Sequence, residues 1–274
     1  MSDAEFIHLD IRESVAWIQI DRPAKLNALS VELMREMSNT LDIVEQDDDV
    51  RVVVLRGGDR AFSVGYDIAQ EVEMGVSTAE QWYGGLEANI ALTMKVWGLN
   101  KPVIGAVSGW CLAGGCELAM ACDLIVCTDE AQFGEPEIRF GSGPVTLLMP
   151  FLIGQKATNE LLYTGDTVDA HRAKELGLVN HVVAHEHLHG SVEQLARKIA
   201  LTPLPILRYT KQALTRAYTA MGLQTAVDHN HAIAAVLNSA ATPERAEFTD
   251  LVASKGLKAA LAWRDARFAT ADAN

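Results

Sequence analysis

Residues 101–128, KPVIGAVSGWCLAGGCELAMACDLIVCT, leave this chain few ways to fold. KPVIGAVSG (101–109) and DLIVCT (123–128) read as strands, being β-branched or apolar and bounded by Pro, Gly or Asp. Between them, Ala113-Gly114-Gly115 makes a turn at which backbone can approach a partner without Cβ interference. A helix over 114–122 follows, apolar on every side and therefore buried. Further strand signals at VAWIQID (15–21), VRVVVLRG (50–57) and GLVNHVV (177–183) alternate with helical periodicity. Ser30 followed by Glu32, Leu33, Met37, Leu41 and Val44 predicts an N-capped amphipathic helix. Other helices are predicted near 68–98, 155–163, 169–176 and 186–201. The alternation defines an α/β class. Beyond TPLP (202–205) no strand signal remains, and helices near 206–219, 222–239, 243–253 and 256–264 suggest a helical appendage.

At 274 residues and 49% hydrophobic, the chain can build a full-sized core. Its longest apolar runs fall well short of the roughly 20 residues that a membrane span needs. The start, MSDAEFIHLD, lacks a basic region followed by a hydrophobic stretch, so a cytoplasmic protein is expected. Twenty-three basic against 36 acidic residues give a net charge of −13. That balance repels phosphate backbones and acidic membrane surfaces. A local basic cluster could still hold a small anion within about 8–10 Å, the screening length at cellular salt. Cys111, Cys116, Cys122 and Cys127 match no metal or redox spacing and read as buried free thiols.

Glu117 is the one carboxylate in the apolar helix. An acidic residue near a helix N-terminus contributes about 0.3–1 kcal/mol at exposed sites. Here no Ser or Thr three positions earlier completes a capping box, and dehydrating the charge costs more than the dipole returns. A functional role is the better reading. AQFGEPEIRFG (131–141) adds Glu135 and Glu137 on either side of Pro136. One of them could be a solvated loop charge, whereas two carboxylates in one apolar cleft would separate in pKa into an acid and a base. In RAFSVGYDIAQ (60–70), Gly65 marks a bend, and Asp67 three residues before Gln70 reads first as a helix cap. Amides at Tyr66 and Gly114 could both point at one oxygen, which is all an oxyanion hole requires.

DRPAKLNALS (21–30), VRVVVLRGGDRAFSVGYDI (50–68), KPVIGAVSGWCLAGGCELAMACDLIV (101–126), AQFGEPEI (131–138) and TGDTVDAHRAKELGLVNHVV (164–183) together resemble segments of the crotonase (enoyl-CoA hydratase/isomerase) superfamily, in the same order. The resemblance implies a spiral of ββα units over 1–200 and a helical oligomerisation domain over 201–274. It also implies trimers or dimers of trimers and an acyl-CoA thioester substrate, with neither metal nor cofactor beyond the coenzyme A that the substrate carries. By the same resemblance the oxyanion hole falls on the N–H groups of Tyr66 and Gly114, and the two hydratase glutamates on Glu117 and Glu137. Coenzyme A and substrate would contact Ala24, Lys25, Leu26, Ser63, Gly65, Asp67, Ile68, Trp110 and Leu112. The phosphates would lie near Arg22 or Lys25, with Lys255 or Lys258 assisting. Trp110, Tyr66, Trp82 and Tyr83 are candidates for an aromatic acyl pocket.

The resemblance has gaps. Where family hydratases carry a stretch like GxxPGxGGTQRL, this chain reads GSGPVTLLMPFL (141–152), and Lys255-Gly256 replaces an acidic-Gly pair. Gly109-Trp110-Cys111 also looks like hydroxycinnamoyl-CoA hydratase-lyases, which usually lack a glutamate at the position of Glu117. HEHLH (185–189) reads as a solvated connection rather than a metal site. The expected activity is reversible syn addition of water to a 2-enoyl-CoA. The alternatives are Δ3–Δ2 isomerisation, hydratase-lyase cleavage, thioester hydrolysis, and a noncatalytic acyl-CoA-binding trimer.

Overall fold

The computed structural model describes residues 6–269. Residues 1–5, part of the N-terminal reading, and 270–274, the end of the expected helical unit, lie outside the described residues. Six strands form the larger sheet in the order β1 (Ile7–Arg12), β2 (Val15–Ile20), β3 (Val52–Arg56), β5 (Val103–Val107), β7 (Leu124–Thr128) and β10 (His181–Val183). All neighbours pair in parallel except β1 with β2. A smaller sheet orders β4 (Ala61–Ser63), β6 (Trp110–Leu112), β8 (Gln132–Gly134) and β9 (Thr167–Asp169), with only the β8–β9 pair antiparallel.

Each central strand of the large sheet is followed by a short strand of the small one and then by helix. Thus β3 and β4 lead to α1's neighbours α2 (Ile68–Met74) and α3 (Ala79–Gly98), where α1 spans Val31–Gln46. Likewise β5 and β6 lead to α4 (Gly114–Met120), and β7 and β8 to a single 3-10 turn, Pro136–Phe140, and α5 (Met149–Thr164). This is the expected spiral of ββα units. It places the loops after β4, β6 and β8 side by side, because those three strands are hydrogen-bonded neighbours.

The valines of β3 explain why the large sheet is covered on both faces. Side chains alternate along a strand, so Val53 and Leu55 join the core beneath Leu33, Met37 and Leu41 of α1. Val52 and Val54 pack with Val192, Ala196 and Ala200 of α7 (Leu188–Ala200). Between β9 and β10 lies α6 (Ala170–Glu175). The chain then continues without a strand among the described residues through α8 (Leu204–Ala220), α9 (Leu223–Ser239), α10 (Pro243–Lys255) and α11 (Leu257–Ala269). From there α9 returns to lie along α3, with the Tyr83 and His231 rings stacked at 3.8 Å. Among the described residues, no helix is long and apolar enough to cross a membrane.

The structure corrects several expectations. The single helix foreseen over 68–98 is two, because Gly75 ends α2 in a left-handed conformation and Thr78 starts α3 with a capping box to Gln81. The helix foreseen from 155 begins at Met149, with Gly154 (φ 77°, ψ 170°) breaking it inside. Of GLVNHVV only 181–183 is strand. The HEHLH segment, read as a solvated connection, is a 3-10 turn leading into α7 with four of its five residues exposed, and His189 also stacks on Trp17 at 4.7 Å.

Candidate active site

Two turns meet first. After β4 the chain bends at Gly65 (φ 90°), and after β6 it bends at Ala113, whose φ of 50° and ψ of −132° are strained for a residue with a Cβ. The turns touch: a Cβ on Gly65 would lie 2.7 Å from that of Ala113 and 3.0 Å from the Gly114 nitrogen. A Cβ on Gly115 would fall 2.4 Å from the Ser63 carbonyl oxygen. Among the described residues, the bonds that fix this junction skip the Tyr66 and Gly114 amides. Leu29 N donates to Gly65 O, Asp67 N to Leu29 O, and Ala113 N to Gly134 O. Neither amide has an acceptor among the described residues.

Asn27, with a φ of 59°, bolts the 22–27 turn to this junction. Its Nδ2 donates to the carbonyls of Ala61 (2.9 Å) and Phe62 (3.2 Å), and its Oδ1 accepts from Arg22 N. Ser63 Oγ donates to Asn27 O and accepts from Gly65 N. Nothing in the sequence marked Asn27 as more than a loop residue.

Glu117 lies on α4, all seven residues of which are buried, and is itself 1% exposed. Its Oε1 accepts from the backbone nitrogens of Val145 (2.5 Å) and Thr146 (2.9 Å). The Tyr66 phenol reaches Oε2 at 3.4 Å. Burial lifts the Glu117 carboxyl above its usual range, and the two amides and the phenol oppose that rise. Tyr66 itself is pushed far up by burial and by the nearby Glu117 charge, which keeps it a neutral donor. The unusual 141–152 segment therefore supplies the donors that hold Glu117. It is clasped from outside, where Asn230 Nδ2 on α9 donates to the carbonyls of Pro144 and Val145.

Glu137 sits on the 3-10 turn after β8, buried, with Oε2 unpartnered among the described residues. Burial, with repulsion from Glu117, pushes its carboxyl up to about 8. Glu135 is buried as well, so neither residue flanking Pro136 is a solvated loop charge. Burial and the charges of Glu117 and Glu137 lift Glu135 far above the carboxylate range, making it a neutral acid. Three carboxyl groups thus act on one another in a dry region. Of the three, among the described residues, Glu117 alone has two amide donors on one oxygen, which favour its charged form.

Beside Tyr66, a pocket of about 280 Å³ opens between α1, α2 and α3, with walls that include Met34, Met74, Trp82 and Leu86. Trp82 therefore lines it, whereas Tyr83 is half-exposed and stacked on His231. Trp110 is not in this pocket. It is 44% exposed and lines a hollow with Asp59, Arg60 and His185 that none of the three carboxyl groups borders. Leu112 packs at the junction, its carbonyl 3.1 Å from where a Gly65 Cβ would be. Ala24 and Lys25 are exposed on a 3-10 turn, and Leu26 follows in the left-handed region. Asp67 caps α2 through Gln70 N and pairs with Arg22 at 2.7 Å, so Arg22 is already engaged. Ile68 opens α2; Lys255 and Lys258 are exposed on α10 and α11.

A family model described as enoyl-CoA hydratase/isomerase matches residues 10–251. The chain belongs to the enoyl-CoA hydratase/isomerase family. It is 34% identical to a crotonyl-CoA hydratase of Syntrophomonas wolfei over 84% of this chain and 87% of that one. It is 37% identical to a mitochondrial enoyl-CoA hydratase of Pongo abelii over 75% of this chain and 70% of that one. Among solved structures, an enoyl-CoA hydratase/isomerase from Xanthobacter autotrophicus Py2 superposes with a TM-score of 0.93 at 38% identity, covering 96% of this chain and 98% of that one. The short second sheet assembles the turns that carry the Tyr66 and Gly114 amides and the 3-10 turn that carries Glu137.

Proposed function

We propose that this family member is an enoyl-CoA hydratase, adding water reversibly and syn across the double bond of a 2-enoyl-CoA thioester. The thioester oxygen accepts from the Tyr66 and Gly114 amides, which stabilise the enolate-like charge as C3 is attacked. Glu117, ionised and steered by Val145 and Thr146, uses its Oε2 to hold the water and take its proton while the oxygen bonds to C3. Glu137, protonated at neutral pH, delivers its proton to C2. The water proton on Glu117 and the vacancy on Glu137 then reset by exchange with solvent. No step calls for a metal or redox cofactor.

The observation that carries this reading is the split between the two carboxyl groups: one is furnished with amide donors, the other has an unpartnered oxygen and a pKa near 8. Acid and base are thereby available together at neutral pH. Double-bond migration needs one shuttle and gives Glu117 no task. The test is loss of the conjugated enoyl-thioester absorbance with crotonyl-CoA, alongside product analysis on a 3-enoyl-CoA. Glu117→Gln and Glu137→Gln should each lower kcat by about 10²–10⁴-fold. A wild-type rate in Glu117→Gln, or a 2-enoyl product without hydration, refutes the assignment.

The coenzyme A path along Ala24–Leu26 and Ser63–Ile68 belongs to the same proposal, as do a homotrimer or dimer of trimers built through residues 201–274 and a cytoplasmic setting. Support for assembly comes from the exposed Ile206, Tyr209 and Leu214 of α8. Support for the setting comes from four buried free cysteines.

A further inference from the structure

The pocket beside Tyr66 is walled mainly by apolar side chains, yet among the described residues three polar groups line it without hydrogen-bond partners: the Trp82 indole Nε1 and the side chains of Asn89 and Glu71. Asn89 on α3 is 7% exposed, and among the described residues its amide makes no hydrogen bond. Glu71 on α2 also lines the pocket, and among the described residues its carboxyl accepts no hydrogen bond and forms no ion pair. The cation that acts on it, Arg245, spends Nη1 on Gly141 O at 2.7 Å and Asn238 Oδ1 at 3.3 Å, and stacks over the Trp82 ring. The Asn89 and Glu71 polar atoms open onto the pocket, so a ligand that fills it displaces their water and must supply hydrogen bonds in its place. A plain alkyl chain would complete neither.

We infer that this pocket receives an acyl chain bearing a hydroxyl group away from the thioester, the hydroxyl lying between the Glu71 carboxyl and the Asn89 amide. The hydroxyl hydrogen goes to Glu71 and its oxygen accepts from Asn89 Nδ2. Burial lifts the Glu71 carboxyl to about 7, with Asp67 adding to the rise and Arg245 opposing it. Near neutral pH both forms are present, and a hydroxyl, being donor and acceptor, pairs with either. The placement of the acyl chain rests on the hydratase reading, because it assumes the thioester at Tyr66 and Gly114.

The experiment compares calorimetric binding of hexanoyl-CoA with that of 4-, 5- and 6-hydroxyhexanoyl-CoA, which are saturated and cannot be hydrated. Turnover of the matching 2-enoyl thioesters is measured in parallel. Wild type should bind at least one hydroxylated chain about tenfold or more tightly than the alkyl chain. Glu71→Leu and Asn89→Leu should erase that preference, and Glu71→Gln should keep part of it. Equal binding of all four ligands by wild type, or a preference untouched in both leucine variants, overturns the inference. A binding preference without turnover counts against the hydratase reading and leaves the pocket assignment standing; turnover without a preference does the reverse.

Discussion

Glu137 carries a proton at neutral pH because it is buried, and that has a consequence for stability that can be measured without any substrate. Its carboxyl rises from 4.5 to about 8 on folding. A group with a raised folded pKa binds more protons in the native state, so its contribution is fully present below the unfolded value and is lost as pH climbs toward the folded one. Between about pH 5.5 and 8 the loss covers about 2.5 units, or roughly 3 kcal/mol at 1.36 kcal/mol per unit, an upper bound because Glu117 and Glu135 share the titration. Glu137→Gln removes the titrating group while keeping its shape. Urea unfolding of wild type and variant at one fixed protein concentration, from pH 5.5 to 8.5, should show wild type declining relative to Glu137→Gln by about 1–3 kcal/mol. Parallel curves for the two proteins across that range would refute the claim that Glu137 is held protonated by its surroundings.

Gly114→Ala places a Cβ 2.5 Å from the Tyr66 ring, which must shift and drag the junction with it. Far-UV circular dichroism should stay native while kcat on crotonyl-CoA falls by about 10²–10³-fold, the typical cost of a lost oxyanion donor. Asn27→Ala strips the donor from the Ala61 and Phe62 carbonyls, so denaturant unfolding should report a loss of about 1–3 kcal/mol.

Five of the six strands of the large sheet were legible, the clearest because five-residue β-branched runs such as VVVLR are buried on both faces and carry no competing period. The small sheet was not: β4, β6, β8 and β9 are three residues each, too short for alternation to show. In β1 the signal existed, since Ile7, Leu9 and Ile11 alternate with polar residues. The Thr78–Gln81 capping box was equally readable and would have split the long helix. Burial of Glu117 followed from its all-apolar helix. Burial of both Glu135 and Glu137 did not, because side-chain directions on a single 3-10 turn after Pro136 have no period to read. The amides of Val145 and Thr146 left no trace in sequence at all, since any non-proline residue can donate from its backbone.

The clasp of Asn230 on the 144–145 carbonyls ties the C-terminal helices to the mid-chain loop that holds Glu117. A fragment stopping before Leu223 would keep every strand among the described residues and both glutamates, yet the segment steering Glu117 would lose its outer clasp. Shortened versions made to probe assembly will therefore also disturb proton transfer, and the two losses must be told apart by restoring the missing helix in trans.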